Sequence, residues 1–146
     1  MSDKLDLIAH VIQLSIAPVF LLTGIAGLLG VMTNRLGRVI DRARALEPQA
    51  GSATDGSPVQ RELKVLARRA RLISRAITFG VLSALLVCAV IVGLFVTAYY
   101  AWTPDLTRVV AFIFGCALLA LIAGLLLFLR EVYVATATLR IGVPKK

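Results

Sequence analysis

The chain has 146 residues, of which 59% are hydrophobic and only 16% charged, with a mean hydropathy of +0.89. Sixteen Lys and Arg stand against eight Asp and Glu, a net charge of +8, whereas a soluble domain carries about a quarter charged residues. Residues 7–34, 76–104 and 109–129 contain no charge at all, and each stretch meets the roughly 20 residues of helix that a bilayer core requires; an ordinary soluble globule and a catalytic domain of usual size are both excluded.

The first predicted span covers residues 7–33, about 40 Å of helix, which exceeds a hydrocarbon core of about 30 Å, so it tilts or enters the headgroups. The acidic leader Ser2-Asp3-Lys4-Leu5-Asp6 and the length of the apolar stretch do not fit a cleaved signal, which has a basic start and a short apolar core. This span carries His10, Gln13, Ala17, Pro18 and Gly24, with further glycines at Gly27 and Gly30. Polar groups in a span are costly unless they meet protein or water, and Pro18 removes one backbone hydrogen bond and invites a kink. His10, Gln13, Ala17, Pro18 and Gly24 are therefore candidates to line a pathway. Interfacial placement of His10, an interhelical bond from Gln13 and close packing at the glycines are the competing readings.

Residues 34–76 carry the most specific pattern. Leu36, Val39, Ile40, Ala43 and Leu46 form one apolar stripe at helical spacing, and Leu63, Leu66, Ala67, Ala70, Ile73 and Ile77 form a second. Pro48 is expected to end the first helix, with a flexible tip over 48–58. The expectation is an antiparallel helical hairpin extending both spans. If Asn34 and Ala76 share a level, contacting residue numbers add to about 110. Asp41 then faces Arg68 and Arg69, Arg44 faces Glu62, and Glu47 faces Arg61 and Lys64. Asn34, Arg35, Arg38, Arg42, Arg71 and Arg75 are candidates for lipid or partner contact, since a guanidinium meets a phosphate through two parallel hydrogen bonds.

The second and third spans are predicted over 77–102 and 109–129. The connection over 103–108 contains Pro104, expected to stop the incoming helix, and Tyr99, Tyr100 and Trp102 mark a headgroup boundary. Cys88 and Cys116 have similar predicted depths and read as packing residues rather than metal ligands. Fourteen of the sixteen Lys and Arg fall in residues 35–75 and after residue 129, so the hairpin and C-terminus are predicted to be cytoplasmic and the N-terminus outside. That asymmetry also accounts for the basic charge without nucleic acid.

Gln13-Leu14-Ser15-Ile16-Ala17-Pro18, Asn34-Arg35-Leu36-Gly37-Arg38-Val39-Ile40-Asp41-Arg42-Ala43-Arg44 and Arg68-Arg69-Ala70-Arg71-Leu72-Ile73-Ser74-Arg75 together resemble the bacterial family catalogued as domain of unknown function 2721. The resemblance covers roughly residues 8–138. It implies a small three-span protein of the bacterial inner membrane, and it brings no catalytic residue. The expected fold class is all-α integral membrane, a single domain of three transmembrane helices with the hairpin. No cofactor, metal or enzymatic activity is implied. The leading functional expectation is a homo-oligomer with a channel-like or permeation role, the first span lining its axis. The alternative is an accessory or scaffold protein whose basic hairpin docks a protein partner or anionic lipid.

Overall fold

The computed structural model describes residues 2–51, 57–99 and 104–139, with side chains over 8–51, 57–97 and 105–136. All secondary structure among them is helical: α1 (Ser2–Ala50), α2 (Pro58–Tyr99) and α3 (Pro104–Leu139). At 1.5 Å per residue, their 49, 42 and 36 residues span about 74, 63 and 54 Å, so each outruns a bilayer core. All three are long and apolar enough to cross a membrane. Only 17%, 22% and 11% of their most apolar windows are buried inside the protein. The rest faces outward, including Phe20, Phe112 and Leu119. So much exposed apolar surface suits hydrocarbon and not water.

Three helix boundaries differ from the sequence expectation. Pro48 lies inside the last turn of α1, which continues to Ala50. A proline's fixed φ is helical, and the bond it forfeits, to the Arg44 carbonyl, falls near an end where carbonyls go unpaired anyway. At the other side of the tip, the Ser57 hydroxyl accepts from the Gln60 amide at 3.3 Å, and the Arg61 amide donates to the Ser57 carbonyl at 3.2 Å. Ser57 is thus an N-cap with Pro58 in the first helical position, the arrangement a helix start favours. Of the predicted tip over 48–58, residues 52–56 lie outside the described residues. Pro104 likewise begins α3 rather than merely ending α2. The expected aromatic boundary at Tyr99, Tyr100 and Trp102 lies outside the described side chains. The largest difference is at the end of α3, which runs ten residues past the predicted span limit of 129 to Leu139.

Burial along each helix repeats every seven residues. On α1, Val11, Pro18, Ile25, Met32, Val39 and Leu46 are buried; on α2, Leu66, Ile73, Gly80 and Val87; on α3, Val110, Ala117, Gly124 and Glu131. A seven-residue repeat is the signature of helices that pack side chain into side chain, as in a coiled coil. The chain divides into two compact units, Met1–Leu29 with Phe79–Ile122, and Gly30–Thr78 with Ala123–Lys146.

In the first unit, Ile25, Val87 and Ala117 form the buried core, flanked by Leu21, Leu22, Leu29, Ala84 and Leu121. The Ser83 hydroxyl donates to the Ala117 carbonyl at 2.8 Å across helices. Two glycines make close approaches: a Cβ on Gly80 would lie 2.9 Å from Leu29 Cδ2, and one on Gly93 2.8 Å from Val110 Cγ2. Residue numbers in contact between α2 and α3 add to 200 for Ser83 and Ala117 and to 203 for Gly93 and Val110, the antiparallel pattern.

In the second unit, Met32, Val39, Leu46, Leu66, Ile73 and Ala76 form the core, with Leu127 and Phe128 of α3 packed against it. The unit is therefore three-helical. The two-helix hairpin expected from the sequence acquires a third wall, because Leu127 and Phe128 at the end of the α3 charge-free stretch pack onto it and the buried repeat continues to Glu131.

Candidate functional site

Charge in the second unit is organised around Glu131. Its side chain has no exposure, yet it occupies the same seven-residue repeat as Val110, Ala117 and Gly124. A buried carboxylate needs a counter-charge and hydrogen bonds. Arg69 supplies both, donating from Nε at 3.1 Å and Nη2 at 2.9 Å to Oε1. Arg35 Nη2 lies 3.4 Å from Oε2, close enough for attraction, but Oε2 receives no hydrogen bond. The Arg35 guanidinium is held instead over the Phe128 ring, 5.4 Å from its centroid, a favourable cation–π placement. One carboxylate thus ties α1, α2 and α3 together within this unit.

Two arginine-lined clefts open on the same unit. The larger, about 480 Å³, is lined by Val31, Arg35, Arg38, Val39, Arg42, Leu66 and Arg69. Its charge is mostly answered from within: Glu131 serves Arg35 and Arg69, and Glu62 Oε1 accepts from Arg42 Nε at 2.9 Å. The smaller, about 230 Å³, is lined by Arg68, Arg71, Leu72, Arg75 and Arg130. Among the described residues no acid lies within 4 Å of any of those four guanidiniums. Arg71 Nε donates to its own helix, to the Ala67 carbonyl at 3.3 Å. Four like charges on one cleft repel, and among the described residues no acid lies close enough to offset them. The two clefts hold equal numbers of arginines, and the smaller one alone lacks internal neutralisation.

The helix geometry explains the division. Neighbouring helical residues point about 100° apart, so Arg68 and Arg69 cannot both face one partner. Arg69 turns to Glu131, and Arg68 turns away to join Arg71 and Arg75 at three- and four-residue spacing on one face. On α3, the same divergence separates Glu131 from Arg130. The residue numbers of Arg69 and Glu131 add to 200, an antiparallel register.

The expected hairpin pairs are corrected accordingly. Glu62 pairs with Arg42 and not Arg44, so the numbers of this pair add to 104 where the expected pair adds to 106. Among the described residues, Asp41, Arg44 and Arg68 form no ion pair within 4 Å. The expected partner of Arg69 was Asp41; its actual partner lies on α3, outside any two-helix register. Of the candidate lipid or partner contacts, Arg35 and Arg42 are engaged by acids, Arg71 and Arg75 line the uncompensated cleft, and Asn34 and Arg38 are exposed.

In the first unit, the candidate pathway residues separate. Pro18 is buried in the core repeat, whereas His10, Gln13, Ala17 and Gly24 are exposed on one flank of α1. A Cβ added at Gly24, Gly27 or Gly30 would meet nothing within 4 Å, so packing inside the chain does not require glycine there. Cys88 is exposed and Cys116 half-buried, both as free thiols.

Glu131 and Arg130 are the residues of this candidate site that the reading of the sequence missed. Their signal was present: continuing the repeat Val110, Ala117, Gly124 by seven reaches Glu131, an acid on a core face. A model of the family described as a protein of unknown function, DUF2721, matches residues 15–141. No curated protein and no solved structure matches the chain. With the match running from within the first apolar stretch to beyond the end of α3, the chain belongs to the DUF2721 family.

Proposed function

We propose that the chain is a non-enzymatic, multi-pass protein of the bacterial inner membrane, with its arginine-rich unit on the cytoplasmic side, and that it serves as an accessory or scaffold protein engaging anionic phosphate groups there. The membrane reading rests on three apolar helices with outward-facing apolar surfaces. The orientation rests on the concentration of Lys and Arg in residues 35–75 and after 129. The observation that carries the binding reading is the cleft of Arg68, Arg71, Arg75 and Arg130 with no acid within 4 Å of its guanidiniums among the described residues. Arginine forks match phosphate oxygens, and polybasic segments beside a span attract anionic lipid.

The test is lipid retention by the purified protein in zwitterionic nanodiscs doped with a singly anionic lipid. Enrichment of the anionic lipid around the wild-type chain is expected. It should fall in Arg71→Gln/Arg75→Gln, and persist in Arg38→Glu, whose cleft is the one where three of the four arginines are paired with Glu131 or Glu62. Equal enrichment in the wild type and the double variant defeats the reading.

A second reading, a homo-oligomer with a channel-like role, is favoured by the outer face of α1. There His10, Gln13, Ala17, Gly24 and Gly27 stand exposed within the charge-free stretch of α1, and in a bilayer the Gln13 amide is better accommodated against another copy or water than against lipid. A strictly monomeric mass in nanodiscs excludes it. For an oligomer, ion flux into liposomes that is unchanged by Gln13→Leu and His10→Ala also argues against it.

A further inference from the structure

From the arginine cleft we infer a ligand class narrower than anionic lipid in general: a membrane lipid whose headgroup carries two phosphate groups. This inference rests on the phosphate-binding reading above and specifies its ligand. The first ground is stoichiometry. Arg68, Arg71, Arg75 and Arg130 bring four positive charges to one cleft, and no carboxylate of the described chain is within 4 Å of them. One phosphodiester offers a single negative charge and two unesterified oxygens, enough to receive one guanidinium fork in full. Two phosphodiesters double both quantities and match the donor set better.

The second ground is extent. Arg68 and Arg75 are two turns apart, about 10.5 Å along α2, and Arg71 lies between them. Arg130 approaches from α3. Donors distributed along a helix from two sides fit a pair of linked phosphates better than one compact ion. The third ground is position. Arg75 is the last charge before the charge-free stretch of α2, and Arg130 is the first after that of α3. Leu72, 9% exposed, supplies an apolar surface within the cleft. The donors therefore stand where apolar helix gives way to charge, the level at which a bilayer presents its phosphates. This placement favours a lipid over a soluble phosphate compound.

Glu131 is a positioning residue for this cleft. By pairing with Arg69 it fixes the rotation of α3 against α2, and that rotation is what brings Arg130 to the side of Arg68, Arg71 and Arg75.

The experiment is native mass spectrometry of the full chain released from nanodiscs, at matched total lipid charge. The anionic component is either a lipid with one phosphodiester, or a lipid with two phosphodiesters at half the amount. Retention of the diphosphate lipid about tenfold tighter than the monophosphate lipid, reduced to near parity in Arg71→Gln/Arg75→Gln and in Arg130→Gln, is the expected result. Anionic enrichment with no preference between the two lipids overturns this inference and leaves the general binding reading standing; no anionic enrichment at all overturns both. Inorganic phosphate and pyrophosphate form the third arm. If pyrophosphate strips the diphosphate lipid at concentrations where the protein binds pyrophosphate equally in lipid-free detergent, the ligand is a soluble phosphate and the lipid assignment fails. For Glu131, Glu131→Gln should lose the diphosphate preference while circular dichroism stays helical, and Glu131→Asp should restore part of it. Unaltered preference in Glu131→Gln overturns the positioning role. Should any variant fail to fold, the wild-type comparison of the two lipids still decides the ligand class.

Discussion

Replacing Glu131 by Gln is the most informative single change for the stability of the second unit. The carboxylate has no exposure and meets Arg69 at 2.9 and 3.1 Å and Arg35 at 3.4 Å. Two positive groups around one negative leave a local charge of +1; the substitution raises it to +2 while retaining nearly the same shape. Breaking a buried ion pair from one side costs about 3–5 kcal/mol. The arginine side chains are 22% and 27% exposed, so water relieves part of that. The amide oxygen can also still accept one hydrogen bond from Arg69. A loss of about 2–3 kcal/mol follows, on the scale of a hydrogen bond to a charged group. Reversible unfolding in mild detergent, followed by circular dichroism, measures it. A cycle with Arg69→Gln isolates the pairwise part, expected at about 1–2 kcal/mol. If Glu131→Gln unfolds at the wild-type midpoint, the three-helix clamp drawn from this geometry is refuted. Glu131→Leu distinguishes charge from packing, because it fills the core position while leaving both arginines unpaired; it should be at least as damaging as Gln.

The pair of Arg42 and Glu62 makes the opposite case. Both side chains are about half exposed, so Arg42→Ala should cost at most about 1 kcal/mol, and unfolding in high salt should erase the difference. Gly93→Ala should destabilise the first unit more than Gly80→Ala by thermal unfolding in detergent. The new methyl meets β-branched Val110, stiff at its first torsion, whereas Gly80 meets the movable end of Leu29. Gly24→Ala and Gly27→Ala should leave the fold of the chain intact, since nothing lies within 4 Å of the added carbon, and better helix propensity should add up to about 1 kcal/mol each. A smaller mass in nanodiscs for either variant would instead identify an interface between copies.

The existence and type of the three helices were legible in the sequence, since they follow from the distribution of charge along the chain. A charge-free stretch of bilayer length is a local property, and so is the three-and-four spacing of Leu36, Val39, Ala43 and Leu46. Proline misled the boundaries, because Pro48 and Pro104 were read as stops; each sits near a helix end where the missing amide proton costs little. The arginine-rich composition of residues 35–75 was equally plain. Which of those arginines are spoken for was not.

That second question belongs to tertiary structure, for a physical reason. A sequence records how many charges there are and on which face of a helix each falls, but neutralisation depends on distances between helices. Glu131 is a lone acid near the end of the third apolar stretch until α3 packs against α2 and places it beside Arg69. Its burial converts Arg35 and Arg69 from free cations into structural partners. The same packing turns Arg130 toward Arg68, Arg71 and Arg75. By itself the sequence determined an apolar, three-helix chain with an excess of positive charge; only the packing of the third helix decided which arginines are paired with Glu131 and which line a cleft without an acid among the described residues.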